Sequence, residues 1–224
     1  MVGKQPARSP GQRAGLNQRR VVEAAIRVYT TNGLDGLSMR SVAEALGIAP
    51  NALYSHVKDK DELLDLLVDR LLIDVPIPKA DTEWRDALTE LMSSARQLLI
   101  HHPDLMPTFL SRPTRGPNAL RLADCTLGIL SKAGVTGENA VLALRLLLVF
   151  TFGFAAQELP RLQDPDRERV SKTRQAYSQS KHAALNEVSD SLSRHADEHT
   201  FGIGLRWLID GIERLRVGSS NEAG

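Results

Sequence analysis

The sequence predicts an all-α protein with an N-terminal three-helix head and a larger helical body behind it. Aromatic residues make up only 4% of the 224 residues, while leucine and alanine, which favour helices over strands, are abundant. Apolar side chains recur with the spacing of a helix face, and no segment alternates convincingly with the period of two that marks a strand. The apolar share of 42% excludes disorder over the whole length.

The first 15 residues are rich in Gly, Pro, Arg and Ser, and we predict that they form a flexible basic arm. A first helix is predicted from near Leu16 to Gly33, because glycine suits the conformation that ends a helix. Its buried face consists of apolar residues at helical spacing, namely Val22, Ala25, Ile26 and Tyr29.

Two further helices complete the head. Ser38 is a good N-cap for a helix over Met39–Leu46, which Gly47 ends. Pro50 suits the first position of a short third helix over residues 50–56. A capped helix, a glycine-containing turn and a short second helix form a helix-turn-helix, whose second helix can enter the major groove of DNA. The same pattern also occurs as ordinary helix packing.

A fourth helix is predicted over residues 59–75, where Asp59 is the cap and Glu62 stands three residues on. We assign residues 16–60 to the DNA-binding domain and residues 61–217 to the body.

The body is predicted to be helical as well. Its helices are predicted over Trp84–His101 and over residues 119–132, 138–159 and 201–217. Residues 160–199 are polar and highly charged, so at most a loose helix or a mobile loop is expected there. Residues 218–224 are predicted to be a disordered tail.

Charge is distributed unevenly along the chain. Residues 1–60 carry nine Lys and Arg against four Asp and Glu, which suggests a head that binds a polyanion. The most apolar stretch, residues 141–156, is shorter than the roughly 20 residues needed to span a bilayer and contains Arg145, so we interpret it as a buried helix. The single cysteine, Cys125, excludes an internal disulfide and is consistent with a reducing cytoplasm.

Several runs of residues in the head form a specific pattern. They are residues 33–40, then Ala43, Leu46, Gly47 and Ile48, then residues 53–64. This pattern resembles the DNA-binding domain of the tetracycline-repressor (TetR) family over roughly residues 16–72. A weaker resemblance to the tetracycline repressors runs through the body, at Trp84, residues 112–114, residues 137–140 and Phe150-Thr151-x-Gly153. The family consists of all-helical dimeric regulators whose body binds a small molecule and thereby releases operator DNA.

Side-chain chemistry and the resemblance together indicate the DNA contacts. Arg40 could reach guanine or phosphate, and it matches an arginine that contacts DNA in the family. Asn51 can hydrogen-bond adenine, and Ala52 can touch a thymine methyl group. The other candidates, which match backbone or base-edge contacts or add a hydroxyl, are Tyr54, Ser55, His56 and Lys60. Two alternatives stay open, because Tyr54 could be a core residue and His56 a capping residue.

The body helices could enclose a cavity for a small-molecule effector. The candidate lining residues are Leu91, Met92, Ala95, Met106, Phe109, Leu120, Phe150, Phe154 and Gln157. Ordinary core packing is the alternative for each of them.

The resemblance also shows a departure. Phe109 stands where the tetracycline repressors have a metal-binding histidine, and Leu91 where an asparagine contacts the drug. Neither residue can replace those groups, so a tetracycline–magnesium complex is not expected, and no metal or cofactor is predicted. The expected effector is hydrophobic or aromatic with few polar groups.

The helices over residues 138–159 and 201–217 carry more apolar residues than one core-facing stripe requires. We predict that they pair with a twofold copy in a four-helix interface. The interface residues are predicted to include Leu205, Leu208, Ile209 and Ile212.

The sequence therefore predicts a cytoplasmic, ligand-responsive transcriptional regulator. Of the two possible outputs, repression is predicted rather than activation. The regulator is expected to bind a palindromic double-stranded DNA operator as a homodimer. No association with a membrane is expected. An enzyme is not expected, because the sequence has no glycine-rich phosphate loop, no G-x-S-x-G and no paired metal-ligand histidines. The alternative is a DNA-binding regulator whose body serves only dimerisation or a protein partner.

Overall fold

The computed structural model of the protein describes residues 16–111, 116–163, 167–192 and 197–216. The predicted arm and the predicted tail lie outside the described residues. All regular structure within the described ranges is helical, which confirms the predicted all-α class. The chain divides into two compact units, the first Met1–Ile73 with Pro107–Ala119 and the second Asp74–Met106 with Leu120–Gly224.

The head forms most of the first unit. Its helices are α1 (Gln18–Gly36), α2 (Met39–Leu46), α3 (Pro50–Leu53) and α4 (Lys60–Leu71). α1 contacts both α2 and α4, and α2 contacts α3. Because α4 packs on α1, the unit continues past residue 60, where the sequence placed the end of the DNA-binding domain. α3 is shorter than predicted, since residues 54–56 form a turn.

The predicted capping residues mark where helices of the head begin and end. The Ser38 hydroxyl accepts a hydrogen bond from the Ser41 amide (3.0 Å), and the Ser41 hydroxyl accepts one from the Ser38 amide (2.9 Å), which closes a capping box at α2. Gly33 and Gly47 have φ of 67° and 65°, a region that side chains with a Cβ rarely occupy. Gly33 thus ends the regular part of α1, and Gly47 ends α2.

The head has an apolar core. Its completely buried side chains are Val21, Ala24, Ala25, Leu37, Val42, Ala43, Leu53, Leu63 and Leu67. Ile26, predicted to lie in this core, is only half-buried, because the buried face of α1 is centred on Ala24 and Val28 instead.

The rest of the chain contains eight α-helices in the described residues. They are α5 (Trp84–His101), α6 (Met106–Ser111), α7 (Pro117–Lys132), α8 (Gly137–Gln163), α9 (Arg167–Ser178), α10 (Ala183–Glu187), α11 (Ser189–Leu192) and α12 (Glu198–Glu213). In the second unit, α5, α8 and α12 contact one another. The last helix begins at Glu198 rather than at Phe201, because the Asp197 carboxylate accepts a hydrogen bond from the Thr200 amide (2.8 Å) and caps it.

The prediction for residues 160–199 is wrong, because α9, α10 and α11 lie within this segment. α9 contacts both short helices, and Arg174 Nε lies 2.7 Å from Asp190 Oδ1. These helices are largely polar, so they carry no apolar stripe from which a sequence pattern could predict them.

α8 is much less buried than predicted. Gly137–Leu159 is long and apolar enough to cross a bilayer, but only 28% of its most apolar window is buried in the structure. One side of α8 packs on α5, while Val141, Leu142, Leu146 and Val149 are exposed. The interpretation as a buried helix is therefore wrong for the single chain, since this chain covers only one side of α8.

Candidate functional site

Backbone hydrogen bonds fix the turn between α2 and α3. The Gly47 amide donates to the Glu44 carbonyl (2.9 Å), and the Ile48 amide donates to the Ala43 carbonyl (3.0 Å). Leu53, the last residue of α3, is completely buried, so apolar packing holds this short helix in place. α2 and α3 thus form the predicted helix-turn-helix.

The residues predicted to contact DNA lie at the surface of this motif. The exposed ones are Arg40, Asn51, Tyr54, Ser55 and Lys60, and the half-buried ones are Ala52 and His56. Tyr54 is 53% exposed, so the core alternative does not hold for its side chain. The His56 ring makes no hydrogen bond to any described residue, so nothing supports the capping alternative. The surface offers hydroxyl, amide, imidazole and cationic groups to an external partner.

The start of α4 is held by a variant of the predicted capping box. Asp59 Oδ1 accepts a hydrogen bond from the Glu62 amide (2.8 Å). Glu62 Oε2 in turn accepts one from the Lys58 amide (2.6 Å), one residue earlier than in the usual box. These bonds fix the first turn of α4, where the exposed Lys60 stands. A cation on a rigid helix start is suited to a phosphate group.

A buried ion pair joins α5 to α8 in the second unit. Arg96 donates from Nε to Glu158 Oε2 (2.9 Å) and from Nη2 to Glu158 Oε1 (2.7 Å), and both residues are at least 96% buried. The guanidinium also lies over the Phe201 ring of α12, 5.0 Å from its centroid. Both residues line a cavity of about 320 Å³ that opens beside residues 197–199.

The sequence interpretation missed this pair. Arg96 follows Leu88 and Met92 at intervals of four residues, so it lies on the buried face of α5. This spacing of four residues was the feature of the sequence that could have indicated a buried arginine. It could not have identified Glu158 as the partner, since the two residues are far apart in sequence.

The candidate effector-lining residues divide by burial. Leu91, Met92, Met106 and Phe109 are buried, Ala95, Phe150 and Phe154 are half-buried, and Leu120 and Gln157 are exposed. The exposure of Leu120 and Gln157 contradicts their placement in an enclosed lining, because they lie on the outer sides of α7 and α8. Phe109 belongs to the first unit, whereas the other eight residues belong to the second.

Aromatic rings and one hydroxyl mark the interior of the second unit. The Phe150 and Phe154 centroids lie 5.7 Å apart, and Phe201 lies 5.4 Å from the first and 5.3 Å from the second. The Thr151 hydroxyl is completely buried and has no hydrogen-bond partner in the described residues. Those residues also contain no group of three or more His, Cys, Asp and Glu that could hold a metal ion.

The predicted dimer-interface residues face inward. Leu205, Ile209 and Ile212 are at most 2% exposed and Leu208 is half-buried, because this face of α12 packs against α5 and α8. The prediction is therefore wrong for the three buried residues. The exposed apolar side chains of the two helices are Val141, Leu142, Leu146, Val149 and Trp207, and Trp207 is 73% exposed. We call these five residues the outer apolar face.

In the first unit, α4 is tied to the start of α7 by a buried carboxylate. Asp69 accepts hydrogen bonds from the Asn118 amide (3.1 Å) and the Ala119 amide (2.9 Å) through Oδ1. Its Oδ2 accepts a third from the Asn118 side chain (3.0 Å). Asp69 thus caps α7 from another helix, and the sequence pattern gave no sign of this contact.

Sequence comparison matches both parts of the chain to family models. The model of "Bacterial regulatory proteins, tetR family" matches residues 21–67, and the model of "Tetracyclin repressor-like, C-terminal domain" matches residues 77–216. The HTH-type transcriptional repressor DrrR1 of Streptomyces coeruleorubidus is 32% identical, over 96% of this chain and 83% of its own. The tetracycline repressor protein class A from transposon 1721 of Escherichia coli is 31% identical, over 93% of this chain and 96% of its own.

The fold is also that of solved regulators. The structure of the Streptomyces coelicolor TetR family protein ActR in complex with actinorhodin superposes with a TM-score of 0.82 at 27% identity. The match covers 94% of this chain and 100% of that one.

Proposed function

Since the chain belongs to the TetR family of bacterial regulatory proteins, we propose that it is a transcriptional repressor. The protein binds a palindromic DNA operator as a dimer. It releases this DNA when a small, largely hydrophobic effector binds the body. The observation that carries the proposal is the exposed set of polar residues on the helix-turn-helix, joined in one chain to a body of the tetracycline-repressor type. Relatives that are repressors, and a related structure that holds a small molecule, support it.

In this proposal the head reads DNA with few residues. Asn51 and Ala52, at the start of α3, contact base edges in the major groove. Arg40, Tyr54 and Lys60 position the head on phosphates, and Ser55 and His56 add hydrogen bonds to the backbone or to base edges. The basic balance of residues 1–60 supports this assignment, because phosphate neutralisation supplies most of the affinity of such proteins.

Dimerisation is proposed through the outer apolar face rather than through the residues predicted from sequence. Val141, Leu142, Leu146, Val149 and Trp207 are large apolar side chains on neighbouring helices, and water is an unfavourable environment for them. A twofold copy would present the same face and bury both. The resulting dimer would place two heads on half-sites about 34–36 Å apart.

The effector is proposed to bind among the buried apolar residues of the body, near Phe150 and Phe154. The unpartnered Thr151 hydroxyl supports a polar contact beside these rings, and the Arg96–Glu158 pair lies next to Phe201. An apolar compound with a few polar groups suits such a lining. The protein would act in the cytoplasm, where operator DNA is found, and without enzymatic activity.

Coupling between effector and operator is proposed to use α4. Asp69 joins α4 to the first turn of α7, so a shift of α7 would move the helix whose other end carries Lys60. An effector can release the operator only if it binds better to the conformation in which the two heads are wrongly spaced.

The DNA-binding surface can be tested by the salt dependence of binding. Lys60→Ala is expected to weaken binding to every DNA sequence and to lower the slope of log affinity against log salt by about one unit, because one phosphate contact is lost. Fluorescence anisotropy with labelled duplexes at several salt concentrations measures the slope. Lys181→Ala, an exposed lysine outside the head, should leave the slope unchanged.

Asn51→Ala provides the contrast within the same surface. It should relax the preference at one or two base pairs, at a cost of about 1–3 kcal/mol on the preferred site. An equal loss on all sequences would show that Asn51 does not read bases.

The function as a whole is tested by reciprocity. The operator is first selected from a random duplex library with the full chain, and aromatic compounds are then screened for release of that operator. Saturating operator should weaken binding of a releasing compound by the same factor by which the compound weakens operator binding. If no compound changes DNA affinity, or if a tightly bound compound is indifferent to operator, the body serves only dimerisation or a protein partner.

A further inference from the structure

A cavity on the flank of α7 lies apart from the predicted effector site. It is partly open to solvent and has a volume of about 540 Å³ between the segment before α5, the start of α5 and the second half of α7. Its apolar walls include Ile77, Trp84 and Ile129, and none of the nine predicted effector residues lines it. The volume falls within the roughly 300–1,000 Å³ that is usual for small-molecule sites.

Gly128 keeps part of this cavity open. It lies in the interior of α7, where glycine is among the least favourable residues. A Cβ placed on Gly128 would meet no atom within 4 Å, and its φ is not positive, so neither packing nor backbone conformation requires glycine here. The missing side chain instead leaves space in the cavity wall.

The indole of Trp84 offers a flat apolar wall in a fixed orientation. The guanidinium carbons of Arg85 and Arg216 lie 4.5 Å and 5.3 Å from the ring centroid, and these cation–π contacts hold the ring. The guanidinium groups cover part of the ring, and the part that lines the cavity offers apolar contact to an aromatic compound.

The lining carries two acidic and two basic side chains. Glu83 is engaged as the cap of α5, since its carboxylate accepts hydrogen bonds from the amides of Arg85 (2.8 Å) and Asp86 (3.4 Å). Asp124 is the other acidic residue of the lining.

The two basic residues of the lining are Lys79 and Lys132. Lys132 Nζ donates to the neutral carbonyl of Ala80 (3.1 Å), so its charge is not compensated there. The Lys79 ammonium makes no hydrogen bond or ion pair with any described residue. The Lys79 ammonium and the remaining N–H groups of the Lys132 ammonium are therefore available to an acidic group of a ligand.

We propose that this cavity is a second ligand site, which takes a flat aromatic compound carrying an acidic group. The rings lie against Trp84 and Ile129 and extend into the space beside Gly128. The acidic group lies near Lys79 and Lys132. This site goes beyond the proposed effector site, and its occupancy does not depend on DNA binding.

The chain provides two native reporters for a test. Cys125, the only cysteine, lines the same cavity and is half-buried. Burial raises the pKa of its thiol, so modification by methyl methanethiosulfonate is measured at alkaline pH. A Trp207→Phe variant leaves Trp84 as the only tryptophan, because the chain has two.

The probe is 2-naphthoate, tested on the full chain. It is expected to slow Cys125 modification saturably and to change Trp84 fluorescence with the same midpoint. The matched cation, 2-naphthylmethylamine, is expected to bind at least fivefold more weakly. Absence of saturable protection, or equal protection by the amine, would overturn the proposal.

Variants decide whether the ligand lies in this cavity. Gly128→Leu fills the open space and should abolish protection, whereas Gly128→Ala should retain it. Lys79→Ala should weaken binding roughly two- to fivefold, the range of one exposed ion pair. Phe154→Ala, at the proposed effector site, should change nothing. If Gly128→Leu fails to fold, the exposed Lys79→Ala decides, and unchanged 2-naphthoate binding by either folded variant contradicts the site.

Discussion

Val149→Arg is expected to split the proposed dimer into soluble monomers and to weaken operator binding by about 100-fold or more. Val149 is 64% exposed on the outer apolar face, so the monomer can accommodate the arginine. In the proposed dimer the arginine of each copy would be buried in the interface, where a charge loses its water without gaining a partner. Loss of the second head removes the gain of bivalent binding, about 10²–10⁴.

Analytical ultracentrifugation and anisotropy with a palindromic duplex measure the two effects. Val188→Arg is the matched control, because Val188 is also an exposed valine, 43% accessible, but lies outside α8 and α12. It should remain dimeric and bind operator normally. A wild-type protein that sediments as a monomer at micromolar concentration, or a dimeric Val149→Arg, would rule out this interface.

The residues first predicted for the interface should behave differently. Ile209→Arg places a charge in the core of the single chain, so it should unfold or aggregate the protein rather than release a soluble monomer. Circular dichroism separates the two outcomes. A folded, monomeric Ile209→Arg variant would instead support the interface predicted from sequence.

Glu158→Ala is expected to lower the free energy of unfolding by about 3–5 kcal/mol. The change leaves the Arg96 guanidinium buried without its carboxylate, and an unpaired buried charge is among the most destabilising features of a protein interior. Urea denaturation followed by circular dichroism measures the loss. Because the proposed dimer would couple unfolding to association, variants are compared at one protein concentration.

Two controls separate charge from packing. The double variant Arg96→Met with Glu158→Leu removes both charges at similar volume and should recover most of the stability. Asp190→Ala breaks the exposed pair with Arg174 and should cost less than about 1 kcal/mol. If Glu158→Ala costs no more than Asp190→Ala, the pair at Arg96 is not a desolvated ion pair.

Three helix ends in the head, at Ser38, Gly47 and Asp59, could be predicted closely from sequence. Ser38, Gly47 and Asp59 act on backbone groups within a few residues of themselves, so the sequence neighbours suffice to determine each cap. The polar surface of the helix-turn-helix was predictable for the same reason, since the residues exposed on α2 and α3 follow from the helix phase once Ala43 and Leu53 are taken as buried.

The body was less predictable, because its interactions are non-local. The periodicity of α12 indicates one apolar face, and it identifies Leu205, Ile209 and Ile212 correctly as members of it. It cannot say whether that face meets the same chain or another copy. Trp207, on the other side, carries no periodic signal as a single residue.

By itself, the sequence determined the all-α class, the helix-turn-helix and most of the side chains exposed on it, because helix propensity, capping and helix phase are properties of short segments. Only the tertiary structure decided which side of α8 and α12 is covered, that Arg96 meets Glu158, and that Asp69 caps α7. Those outcomes depend on which helices pack together, and the free energy of burying a side chain is set by the surface that comes to cover it.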